Sequence, residues 1–117
     1  MLSDKDDDCC EEFITLPSDV LRKFGWLHNI LGCATDQDGR ILFARDKKAI
    51  NFDMVGALSR CFESRLKEGE ETSIFFEQLK IVQEKIKSLG FDSITHYNNF
   101  PGRTKGECIN LFVSIGL

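Results

Sequence analysis

Apolar residues recur along the chain at two different spacings, and the spacing separates helices from strands. The cleanest stripe is Phe75, Leu79, Val82, Ile86 and Leu89, one face of a helix that Gly90 closes. Thr72 or Ser73 caps its start, and Phe91 is expected to fold back onto its last turn. Met54, Val55, Leu58, Cys61, Phe62 and Leu66 predict a second amphipathic helix over about 52–67. Asn51 is its expected N-cap, and Asp53 falls in the first turn, where the helix dipole favours negative charge. Gly56 and Ala57 are small enough there to let another element come close. Val20, Leu21 and Phe24 predict a short helix with Ser18 as N-cap and Gly25 at its end. The last helix carries Cys108, Ile109, Leu111, Phe112 and Ile115. Thr104 and Glu107 have the spacing of a capping box at its start.

Between the first two helices the pattern shortens. Apolar runs on either side of Asp36-Gln37-Asp38-Gly39 predict a hairpin with strands at about 27–34 and 40–44, because glycine supplies the positive φ of the turn. A lone hairpin is marginal in water, so it must pack on the helices. Asp46-Lys47-Lys48 reads as a loop, and 92–103 as a short helical turn followed by a shaped loop closed by Pro101-Gly102. The expected fold is mainly α, of the α+β kind: a compact four-helix domain with one small β-hairpin over residues 13–117. Residues 1–12 carry Asp4, Asp6, Asp7, Asp8, Glu11 and Glu12, and read as an acidic arm, either solvated or used for interaction.

Composition narrows the class. A chain of 117 residues with 42% apolar and 29% charged residues is one ordinary globular domain, and disorder is excluded for most of it. Ten phenylalanines against one tyrosine and one tryptophan predict a dry aromatic core. No apolar run approaches the roughly 20 residues of a membrane helix, and the acidic start does not resemble a secretory signal. A cytoplasmic protein is therefore expected, with reduced thiols. The five cysteines form no CxxC or Cys/His metal spacing, so no metal or other cofactor is expected. Cys61 and Cys108 lie on apolar stripes and read as small buried hydrophobes, whereas Cys33 sits in a strand and can face either way. Cys9 and Cys10 stand among carboxylates, which makes them poor nucleophiles. The net charge of −4 argues against a general affinity for nucleic acid.

No P-loop, dinucleotide fingerprint, HExxH or GxSxG elbow is present. The side chains suited to proton transfer near neutrality are His28 and His96. Together with Asn98, Asn99 and Arg103 they would make a small hydrolase or transferase site if the hairpin packs beside the late loop. The simpler alternative is two hydrogen-bonded structural histidines. Asn98-Asn99 likewise reads as turn chemistry or as ligand contact, and Arg103 could meet an anion at the last helix start. Arg40, Arg45, Lys47 and Lys48 form a basic cluster that could touch phosphate, with Phe43 its one interleaved aromatic. The binding surface expected from this pattern comprises Trp26, His28, Tyr97, Asn98, Asn99 and Arg103.

Gly25-Trp26, Asp38-Gly39-Arg40, Lys48-Ala49-Ile50-Asn51-Phe52 leading into Gly56-Ala57-Leu58, and Tyr97-Asn98-Asn99 with Gly102-Arg103-Thr104 follow one another in a familiar order. That order resembles a family of short bacterial and phage proteins of unknown function, over about residues 18–116. In that family an aromatic-cysteine pair precedes GAL and a tryptophan-asparagine-aspartate comes late. Here Phe52 is followed by Asp53, while Tyr97 and Asn99 stand for the tryptophan and aspartate, and His28 for a glutamine. The resemblance implies the helical fold with a hairpin and no known activity. The expected function is a non-enzymatic, intracellular protein-binding module, encoded by a phage or mobile element as an accessory factor or host-defence inhibitor. Its acidic arm would meet a basic cleft on the partner. The alternatives are the small enzyme using His28 or His96, and, more weakly, nucleic-acid binding through the basic cluster.

Overall fold

The computed structural model describes residues 16–28, 33–62 and 73–117. The acidic arm, Phe13, Ile14, residues 29–32 of the expected first strand, Leu66, the break at 68–71 and the Thr72 cap lie outside the described residues. The chain is mixed α+β, in the order α1 (Pro17–Lys23), β1 (Gly25–Trp26), β2 (Ala34–Thr35), β3 (Asn51–Phe52), α2 (Met54–Phe62), α3 (Ser73–Ser88), α4 (Ile94–Asn98) and α5 (Lys105–Ser114). The described residues thus hold five helices where four were expected. The addition is α4, which grows from the expected helical turn. Ser93 caps it by accepting the His96 N–H at 3.0 Å, and Ile94 and Tyr97 are buried.

The hairpin with strands at about 27–34 and 40–44 is replaced by a three-stranded sheet with β3 in the centre. β3 runs parallel to β1, pairing Gly25 with Asn51 and Trp26 with Phe52. It runs antiparallel to β2, pairing Ala34 with Phe52 and Thr35 with Asn51. The turn itself forms: the Asp36 carboxylate accepts the Asp38 and Arg40 N–H groups, each at 2.9 Å, and Gly39 has φ +83°. Beyond it the returning limb makes one bridge, Thr35 with Ile41, and then curls away through the Asp46 N–H to Phe43 O bond of 3.0 Å. The two neighbours lie on opposite edges of β2: the Ile50 N–H donates to Thr35 O on one side and the Leu42 N–H to Ala34 O on the other, each at 2.9 Å. Phe52 and Ala34 are fully buried, whereas Ile41 and Phe43 face outward, so the returning limb adds little to the core beyond the one bridge.

Three expected caps also move. Ser18 is not the N-cap of α1: Leu16 holds that position without a side-chain cap, Pro17 opens the helix, and the Ser18 hydroxyl donates to Leu117 O at 2.9 Å. Gly25 does not end α1 in a left-handed turn but lies in β1, where a Cβ would strike the Asn51 side chain. Asn51 is a strand residue whose amide donates to Thr35 Oγ1 at 3.2 Å, and Asp53 caps α2 by accepting the Gly56 N–H at 2.7 Å. Gly56 permits the close approach expected of it, since a Cβ there would collide with the Cys33 carbonyl.

The helices close over one core that includes Leu21, Phe52, Met54, Leu58, Ile86 and Phe112. α1 packs on α2 and α5, and α2 on α3. Phe75, Val82 and Ile86 are the buried part of the α3 stripe, and Leu89, expected in the core, is half exposed. Gly90 ends α3 with φ +95°, and the Phe91 N–H returns to Ile86 O at 3.2 Å. The capping box of Thr104 and Glu107 opens α5. Cys61 and Cys108 are buried and Cys33 is partly buried. Among the described residues no helix is long and apolar enough to cross a membrane.

Candidate functional site

Asn98, at the end of α4, is 1% exposed and ties together segments that are far apart in sequence. Its Oδ1 accepts the Trp26 Nε1–H at 2.8 Å and the Met54 N–H at 3.1 Å, with the Cys108 thiol 3.9 Å away. Its Nδ2 donates to Leu27 O at 2.9 Å and to Asn99 Oδ1 at 2.8 Å. One amide therefore joins β1, the start of α2 and the α4 turn, and sits against α5. An amide suits this position because it offers both acceptor and donors without carrying charge.

The other expected site residues gather around it. His28 packs on Trp26 with ring centroids 5.1 Å apart, and its Nε2–H donates to Phe100 O at 3.0 Å. Arg103 Nε–H donates to Tyr97 O at 2.8 Å, and the guanidinium lies 3.6 Å from the centre of the Tyr97 ring. Phe91 and Phe100 stand further round the same cation, at 5.2 and 5.6 Å. The remaining reach of Arg103 goes to Glu107 at 3.4 Å. His96 stands apart from His28. Its Nδ1 accepts the Asp92 N–H at 3.2 Å, and its ring packs on Phe91 at 5.3 Å. Both imidazoles border Phe100, one at its carbonyl and one 6.0 Å from its ring centre, and no contact joins them among the described residues.

Electrostatics follow from this packing. Burial pushes the Cys108 thiol up to about 12, so it stays neutral at physiological pH. Burial raises Asp53 to about 6, opposed by the backbone N–H groups of Gly56, Val55 and Asp53 itself. Burial also raises the Tyr97 phenol, with the Arg103 charge acting against it. No buried side-chain nitrogen or oxygen among the described residues lacks a hydrogen-bond partner. Among those residues no group of three His, Cys, Asp or Glu side chains could hold a metal ion.

A second region has the opposite character. A groove of about 650 Å³ is lined by Ile41, Leu42, Phe43 and Ala44 of the loop after the turn, by Val55 of α2 and Phe75 of α3, with Cys33, Asp46 and Ser59 as its polar members. Phe43 is 83% exposed and Ile41 61%. The loop is held from beneath: Arg60 of α2 donates to Ala44 O at 3.2 Å and Asp46 O at 3.1 Å, and the Asp46 carboxylate accepts the Lys48 N–H at 2.8 Å. Arg40, Arg45, Lys47 and Lys48 are exposed on that same loop. Sequence reasoning missed the groove because it assigned Ile41, Leu42 and Phe43 to a strand. The available signal was an unbroken run of four apolar residues, Ile41 to Ala44, between Arg40 and Arg45, more than a strand with one buried face can hide.

Comparison with family models, with curated proteins and with solved structures returned no match.

Proposed function

We propose that this chain is a non-enzymatic protein-binding module whose working surface is the Phe43 groove. The observation that carries this reading is the exposure of Phe43 and Ile41 on a loop that Arg60 pins in place. Large side chains held out in water by internal hydrogen bonds form a preorganised apolar anchor site, which favours association by lowering the ordering cost. The chemistry of the Asn98 corner supports the same reading from the other side. The imidazoles, both amides and Arg103 are engaged in bonds and stacking within the chain, and the nearest thiol is neutral. A hydrolase or transferase would need a base and a nucleophile within reach of one another. Cytoplasmic location, kinship with the short bacterial and phage proteins, and a role as an accessory or host-directed factor belong to this proposal. So does the acidic arm as an attractor for a basic partner surface.

The test is paired affinity capture from one cell extract with the full chain and with Phe43→Glu. A set of proteins retained by the wild type and lost from the variant, with circular dichroism unchanged, is expected. Identical captured sets would overturn the reading.

A further inference from the structure

The long helix α3 meets the core along a narrow seam, and its outer side carries charges in an ordered pattern. Phe75, Val82 and Ile86 are its buried residues. Away from them Glu77, Lys80, Glu84 and Lys87 are exposed and alternate in sign. Their spacings of 3, 4 and 3 hold them in one stripe along the helix. No ion pair among the described residues includes any of the four. Phe76 flanks the stripe and is 57% exposed. It lines a depression of about 400 Å³ together with Leu79, Lys80, Gln83, Glu84 and Lys87. We propose that this face of α3 pairs antiparallel with the same face of a second copy of the chain. It shares no lining residue with the Phe43 groove, so the pairing goes beyond the protein-binding reading above.

Charge complementarity selects the occupant. The spacings read the same from either end of the stripe, while the signs invert: reversed, Glu-Lys-Glu-Lys becomes Lys-Glu-Lys-Glu. A second α3 running the opposite way therefore sets Glu77 against Lys87 and Lys80 against Glu84, and the twofold axis repeats both pairs. A parallel copy would set each charge against its like, which is repulsive. Phe76 adjoins Glu77, so the same register carries its ring to Lys87 of the other copy, whose methylenes and ammonium suit an aromatic face. Lys85, the remaining charge of α3, lies off the stripe and is half buried. The 16 residues of α3 span about 24 Å, so one helix pair covers less area than a standard interface. The association is accordingly weak and sensitive to salt, because its ion pairs are exposed.

Sedimentation equilibrium of the full chain tests this, over chain concentrations from about 10 μM to 1 mM. The wild type should approach twice its 13.3 kDa mass at low salt and return toward the monomer at roughly 0.5 M salt. Two charge-reversed variants decide the surface. Lys80→Glu with Lys87→Glu makes the stripe wholly acidic, and Glu77→Lys with Glu84→Lys makes it wholly basic. Each alone should raise the dimer dissociation constant at least tenfold, and an equimolar mixture of the two should recover a dimer as tight as the wild type. All four positions are exposed, so retained circular dichroism separates lost association from lost fold. Phe43→Glu should leave the dimer intact. A wild type monomeric at every concentration, a dimer indifferent to both reversals, no recovery in the mixture, or a dimer abolished by Phe43→Glu would overturn the proposal. Capture from extract that still depends on Phe43 would in any of the first three cases leave the protein-binding reading standing.

Discussion

The Asn98 corner and the Phe43 groove use side chains of opposite kinds in opposite ways. The corner is polar and closed: Asn98 is buried, and each of its hydrogen-bonding atoms meets Trp26, Leu27, Met54 or Asn99. The groove is apolar and open, with Phe43 almost fully in water. In water-soluble proteins the usual arrangement is the reverse, so each departure asks for a reason. For Asn98 the reason is its hydrogen bonding: a buried polar group is tolerated when satisfied, and this one fixes how β1, α2 and α4 meet. For Phe43 the described residues give no such internal reason, because its ring is 83% exposed. The contrast teaches that a polar cluster in a sequence can be frame, while the greasy residue beside a turn can be the working part.

Breaking the corner should therefore cost the most. Asn98→Leu strands the Trp26 indole N–H, the Met54 N–H and the Leu27 carbonyl, and should destabilise the fold by roughly 3–5 kcal/mol in urea or guanidinium unfolding. A loss below about 1 kcal/mol would show that the corner is dispensable to the frame.

Asp53 sharpens the comparison through pH. Its native pKa of about 6 lies above the ordinary value of 3.8, so the folded state holds this proton more tightly than the unfolded chain does. The stability it confers is complete below about pH 4 and is lost as pH rises through 6. The difference over that window is at most about 3 kcal/mol, at 1.36 kcal/mol per unit. Asp53→Asn should flatten this part of the stability-versus-pH curve relative to wild type, read by thermal melts from pH 4 to 7.5. Parallel curves would remove the buried-carboxylate account.

Gly56→Ala comes next, at about 2 kcal/mol, because its Cβ meets the Cys33 backbone and neither neighbour can rotate away. The corresponding change at Gly25 meets the Asn51 side chain, which can move, so it should cost less in the same denaturation series. Thr104→Ala removes half of the α5 capping box and should cost about 1 kcal/mol. Phe43→Ala should shift stability by less than about 0.5 kcal/mol, since an exposed ring adds little to the fold. A large loss there would move Phe43 from the surface into the frame.

Much of the helical part was readable because its signals are local. The Thr104–Glu107 spacing marks a helix start with no knowledge of the rest of the chain, and Gly90 marks an end in the same way. The sheet was not readable, because β3 is two residues long and too short to show alternation, and its partners lie at 25–26 and 34–35. Ser18 reads as a cap, but its hydroxyl goes to Leu117 at the far end of the chain, a contact no local pattern encodes. The residues of the Asn98 corner could be singled out but not assigned a role. An asparagine in a turn looks the same whether its amide faces a ligand or its own backbone, and the deciding partners, Trp26, Leu27 and Met54, come from elsewhere. Phe43 was hidden by its assignment to a strand that does not form.

Hydrogen–deuterium exchange of the full chain, with and without a protein that the Phe43-dependent capture retains, compares the two regions in one measurement. Slowed exchange at residues 41–46 and 55–59, with 26–28 and 97–103 unchanged, is the predicted footprint. Slowing confined to 26–28 and 97–103, or none at all, would contradict the assignment of the groove as the working surface.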